Sequence, residues 1–155
     1  MQPNIYNFFK FLNQKEQRPI PFSVKLLYVP ETLTPQELNV EGDLNLRNTP
    51  ITSLPKGLTV GDFLDLYNTS ITSLPRGLKV GGYLDLENTP ITSLPDGLTV
   101  GGNLDLSNTP ITSLPDGLKV GGDLYLMSTP LDEQTNEEIK AMIGPQGYIK
   151  GNIIR

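Results

Sequence analysis

A 20-residue period runs through the middle of the chain and constrains what it can fold into more than any other feature. Four units align without gaps, beginning at Asn48, Asn68, Asn88 and Asn108, and the third reads NTPITSLPDGLTVGGNLDLS. An incomplete fifth begins at Ser128, and a degenerate one precedes the set with Leu38, Val40, Leu44 and Leu46 in register. Self-similarity at this spacing is the mark of a stacked architecture in which each repeat is one turn. Six columns are apolar in every full unit, represented by Ile91, Leu94, Leu98, Val100, Leu104 and Leu106. Leu104-Asp105-Leu106 alternates as a short strand does, Gly101-Gly102 supplies a turn before it, and Leu94-Pro95-Asp96-Gly97 supplies a second bend.

One such turn cannot fold alone. Its six buried side chains offset only part of the conformational entropy lost by 20 residues, so neighbours must share burial and backbone ladders. The high Gly and Pro content, 15 and 14 residues, recurs at fixed places in the units and therefore marks structure rather than disorder.

Leu104-x-Leu106-x-x-Thr109-x-Ile111-x-x-Leu114-Pro115 resembles the leucine-rich repeat family, whose pattern is LxLxxNxLxxLP. The short period is similar to that of the bacterial class found in secreted effectors of Gram-negative pathogens, and similar Gly-Gly-x-Leu-x-Leu units occur in phage and gut-bacterial proteins. The resemblance covers roughly residues 38 to 131. It implies a leucine-rich-repeat solenoid with a short parallel β-sheet on one face, extended, polyproline-like segments on the other, and helical caps at both ends. Two departures stand out. Thr49, Thr69, Thr89, Thr109 and Thr129 occupy the family's Asn ladder, where a hydroxyl can bond neighbouring turns with fewer groups. Gly61, Gly81, Gly101 and Gly121 replace a usual Leu, which shifts the first core column onto the preceding Val.

The expected organisation is an N-terminal helical cap over 1–20, a solenoid over 21–131 and a C-terminal cap over 132–155. Ile5, Phe8, Phe9 and Leu12 fall at helical spacing and predict an amphipathic helix over about 4–16. Thr135 and Glu138 have capping-box spacing ahead of Ile139, Ala141, Met142 and Ile143, and a last segment from Tyr148 to Ile154 predicts a strand over the open edge.

Composition narrows function. The net charge of −5 with only 12 Lys+Arg lacks the basic footprint of a nucleic-acid or anionic-membrane binder, and a basic partner fits better. With no Cys and no His, disulfides, thiol nucleophiles, the usual zinc sites and imidazole acid–base chemistry are excluded. No cofactor and no metal are implied. Met1–Lys10 has no basic leader followed by an apolar run, and no apolar stretch approaches the ~18 residues of a membrane span. A cytoplasmic monomer is the expectation, with signal-less secretion or delivery into a host cell left open.

The copies also differ from each other informatively. Thirteen of the 20 columns are identical in all four full units, so the placement of the seven variable ones carries the signal. Three are the outward strand positions: Phe63, Tyr83, Asn103 and Asp123; Asp65, Asp85, Asp105 and Tyr125; Tyr67, Glu87, Ser107 and Met127. Drift on any exposed surface would also have touched the invariant Asn88, Thr92 and Ser93 columns. The strand face is therefore the expected partner-binding surface, carried by Arg47, Phe63, Asp65, Tyr67, Tyr83, Asp85, Glu87, Asp105, Tyr125 and Met127. Three readings of the Asp65, Asp85 and Asp105 column stay open: a solvated acidic stripe, a stripe meeting a partner's Lys or Arg, and a cation site or catalytic carboxylate pair. The expected function is non-catalytic protein binding, in its sharper form a phage- or bacterium-encoded inhibitor or effector acting by occupying a surface. The alternatives are a carboxylate-based solenoid hydrolase and an ice-binding or structural solenoid using the Thr52, Thr72, Thr92 and Thr112 array.

Overall fold

The computed structural model describes residues 20–155, together with Asn7 and Phe11. The helix expected over 4–16 lies outside the described residues except at Asn7 and Phe11, which are both helical. From there the chain forms helix α1 (Phe22–Tyr28), a 3-10 turn (Pro30–Thr32) and then a parallel solenoid of 20-residue turns.

Each turn contributes two strands of two residues. The first series is β1 (Asn39–Val40), β3 (Thr59–Val60), β5 (Lys79–Val80), β7 (Thr99–Val100), β9 (Lys119–Val120) and β11 (Tyr148–Ile149). The second is β2 (Leu44–Asn45), β4 (Leu64–Asp65), β6 (Leu84–Asp85), β8 (Leu104–Asp105), β10 (Leu124–Tyr125) and β12 (Ile153–Ile154). They build two six-stranded parallel sheets, where a single sheet was expected. The added sheet arises where Gly61 and its equivalents follow the buried Val. Without a side chain there, one turn's backbone settles directly on the next.

Backbone bonds join successive turns in both sheets, as Gly101 N to Val80 O at 2.9 Å in the first and Leu104 N to Asp123 O at 2.9 Å in the second. Every inner turn is thus bonded to both neighbours through both sheets, which holds two-residue strands that would be worthless singly.

The third side is extended, and among the described residues Ile71–Leu74 and its equivalents make no backbone ladder. Its entry is a tight bend. Asn48, Asn68, Asn88, Asn108 and Ser128 adopt positive φ, a region Asn tolerates better than other side-chain-bearing residues. The Thr that follows each turns its hydroxyl inward to the carbonyl three residues back in its own turn, for example Thr89 Oγ1 to Leu86 O at 2.7 Å. This corrects the expectation of hydroxyls bonding neighbouring turns. The bond between turns comes instead from the Asn column, where Asn68 Nδ2 donates to Asn48 Oδ1 at 2.8 Å.

All six apolar columns face one continuous core, with Ile91, Leu104 and Leu106 fully buried. Leu26 of α1 joins it at one end. At the other, α2 (Asn136–Met142) starts with the expected capping box between Thr135 and Glu138 and buries Ile139. The register from Leu124 to Ile153 is 29 residues, not the 20 separating Leu64 from Leu84, and the surplus houses this helix. The final segment then supplies strands to both sheets, β11 and β12, rather than one. Among the described residues no helix is long and apolar enough to cross a membrane.

Candidate functional site

The outward face of the second sheet is ordered by its own side chains. Phe63 and Tyr83, on adjacent rungs, stack with centroids 5.0 Å apart and planes within 2°. Register makes this pairing unavoidable, because parallel strands place equivalent residues side by side. On the other flank Arg47 lies over the Tyr67 ring at 3.8 Å and donates to Asp65 Oδ2 at 3.2 Å, with Asp85 Oδ2 at 3.9 Å. Tyr83 Oη donates across to Asp105 Oδ2 at 3.1 Å. Glu87 and Tyr125 are half-buried, and Met127 is exposed at the far end. All ten residues singled out in the sequence therefore share one face, but the aromatic and cationic ones already have intramolecular neighbours.

The Asp column is not a solvated stripe, the first of the three readings left open by the sequence. Asp65, Asp85 and Asp105 are 2%, 6% and 8% exposed. Each turns one carboxylate oxygen back to its own chain: Asp65 Oδ1 accepts from Tyr67 N at 3.0 Å, Asp85 Oδ1 from Glu87 N at 2.9 Å and Asp105 Oδ1 from Ser107 N at 2.8 Å. These local bonds fold the side chain down at the corner that leads to the positive-φ Asn, a favoured use of Asp and Asn. Asn45 does the same for Arg47 N at 3.0 Å, so the column's first duty is to shape the corner.

Three buried acids in register carry an electrostatic cost. Burial pushes the Asp85 carboxyl up to about 6, and the charges of Asp105, Asp65 and Glu87 push the same way, while the Glu87 N–H opposes them. Folded Asp85 thus keeps its proton where an ordinary carboxyl, near 3.8, has lost it. Between roughly pH 4 and 6 the folded state binds more protons than the unfolded one, so stability falls as pH rises and stays lower above that window. Asp85→Asn retains the turn, as Asn45 demonstrates, and removes the charge. In chelator-containing buffer at pH 7 it is expected to stabilise the fold by about 1–2 kcal/mol, partial solvation having reduced the full effect, with the gain fading below about pH 4. Urea denaturation at both pH values measures this. A variant less stable than the parent at pH 7 contradicts it.

Sequence reasoning overlooked Ser107 as a site residue. It lies at 2% exposure on the rung after Glu87, and its hydroxyl has no hydrogen-bond partner among the described residues. Its signal was membership of a variable column. Two open cavities lie off this face, about 290 Å³ lined by Leu26, Pro30 and Pro50 among others, and about 340 Å³ over Gly77–Gly81 and Gly97–Gly101; neither is lined by an acidic residue. Comparison of the chain with known protein families, curated proteins and solved structures finds no match in any of the three.

Proposed function

We propose that the chain is a non-catalytic recognition module, a short leucine-rich-type solenoid that grips another protein with the outward face of its second sheet. The observation that carries this reading is the coincidence of two patterns. Three of the seven columns that vary among otherwise identical repeats are also those whose side chains stand, pre-ordered, on one rigid face. The Phe63–Tyr83 stack and Tyr67 beneath Arg47 offer flat aromatic surface whose rotamer freedom is already spent, which lowers the entropic cost of binding. Five rungs at about 4.8 Å span roughly 20–25 Å, enough for a small protein interface when the rim contributes. Acidic groups outnumber Arg47 on this face, which favours a partner with a basic surface.

The test is capture from lysate of the native host with full-length protein, its Phe63→Ala/Tyr83→Ala double variant, and Thr92→Ala on the exposed extended side. Loss of at least about tenfold in recovery of one discrete partner by the double variant alone, with its circular dichroism unchanged, supports the face. Equal recovery by all three proteins rejects it.

A further inference from the structure

The acidic side of this face also has the makings of a cation site that the partner-binding reading does not require. Asp85 on β6, Glu87 just beyond it and Asp105 on β8 each place a carboxylate oxygen within 4.8 Å of the others. Their remaining bonds leave room for a ligand. Asp85 Oδ1 and Asp105 Oδ1 are held by backbone N–H groups, Asp105 Oδ2 accepts from Tyr83 Oη at 3.1 Å, and Glu87 Oε1 takes the side-chain amides of Asn88 at 3.5 Å and Asn108 at 3.3 Å. Asp85 Oδ2 and Glu87 Oε2 have no hydrogen-bond donor among the described residues; the nearest cation, Arg47, stands 3.9 Å from Asp85 Oδ2.

The independent observation is Ser107. Parallel register puts it beside Glu87, its carbonyl accepting from Asn88 N at 3.2 Å, and it stands on the same face as Asp105 two residues before it. Its Oγ is buried without a partner, a rare condition for a hydroxyl because desolvation goes uncompensated. That oxygen, on the face that carries the three carboxylates, is free to serve as a further neutral ligand.

We propose that Asp85, Glu87, Asp105 and Ser107 bind a divalent cation of calcium's size, clamping β6 to β8. Calcium takes six to eight oxygens at about 2.3–2.6 Å in flexible geometry and accepts several carboxylates, whereas magnesium keeps most of its water and takes one or two. Three carboxylates, each with an oxygen within 4.8 Å of the others, therefore suit the larger ion. Three carboxylates and a hydroxyl fill part of its shell and water completes it. The expected affinity is that of a partly preformed surface site, with Kd on the order of 0.1–1 mM.

Calcium is titrated calorimetrically into full-length protein stripped with chelator, alongside Glu87→Gln, Ser107→Ala and, on the opposite side of the turn, Asp96→Asn. Terbium, whose emission a nearby Tyr sensitises, provides a second readout. The structure expects saturable calcium binding, at least about tenfold weaker in Glu87→Gln and several-fold weaker in Ser107→Ala, and unchanged in Asp96→Asn. Calcium should displace terbium. No saturable calcium binding up to about 10 mM, well above the weakest affinity expected, overturns the proposal. So does equal affinity in the parent and Glu87→Gln, or in the parent and Ser107→Ala. A failed partner capture leaves this result standing, since the titration needs no partner.

Discussion

Gly101→Ala is expected to destabilise the protein by about 4 kcal/mol or more, a large part of the roughly 5–15 kcal/mol that ordinarily holds a domain folded. A Cβ at this position would lie far inside van der Waals contact of Gly81 O, a backbone atom. That carbonyl cannot step aside, because β5, which it directly follows, is locked in register with both neighbours, Val60 to Val80 and Val80 to Val100. Gly61, Gly81 and Gly121 meet the turn before them in the same way. The rule has a boundary that supports it: Glu41, the equivalent residue in the first rung, has no strand before it in the sheet. Gly97→Ala is the control. It sits at φ 70° with nothing within 4 Å of an added Cβ, so it suffers only the backbone penalty of about 1–2 kcal/mol. Urea denaturation of the two variants separates the causes, and equal losses would refute close packing of the turns as the reason for the column.

Leu104→Ala should cost about 3–4 kcal/mol, in the upper part of the range for a buried leucine. Leu104 is fully buried, in register between Leu84 and Leu124. How much a cavity costs depends on how far its walls can collapse. Here they are rungs tied by Leu84 N to Asn103 O at 3.0 Å and Leu104 N to Asp123 O at 2.9 Å, so collapse would break the ladder. Leu44→Ala, on the first rung of the second sheet with one neighbouring strand and 6% exposure, can relax on its open side and should lose nearer 2 kcal/mol. Chemical denaturation decides it: a central loss no larger than the terminal one would mean that the stack yields as easily in its middle as at its end.

The contrast between Asp105 and Leu104 explains how far the sequence could be read. Period two assigned Leu104 inward and Asp105 outward, and both assignments are right about direction. Exposure is another matter, because it depends on what neighbouring rungs lay across the column: Tyr83 reaches Asp105 from one turn back, and Arg47 reaches Asp65 and Asp85 from the first rung. The ten face residues were legible because stacking carries identical columns to one side. Ser107 was not, since a buried, unpartnered hydroxyl looks in sequence like any surface serine.

The 20-residue period by itself determined that the chain stacks, which columns fill the core, where the bends fall and which residues share a face, because each follows from counting along one turn. Only the tertiary structure decided that Val and Gly make a second sheet, that the Thr hydroxyls bond within their own turn, and that three aspartates are buried beside a lone hydroxyl. Those outcomes depend on distances between turns rather than positions along one. The separation of neighbouring backbones, set by glycine, fixes what each side chain meets.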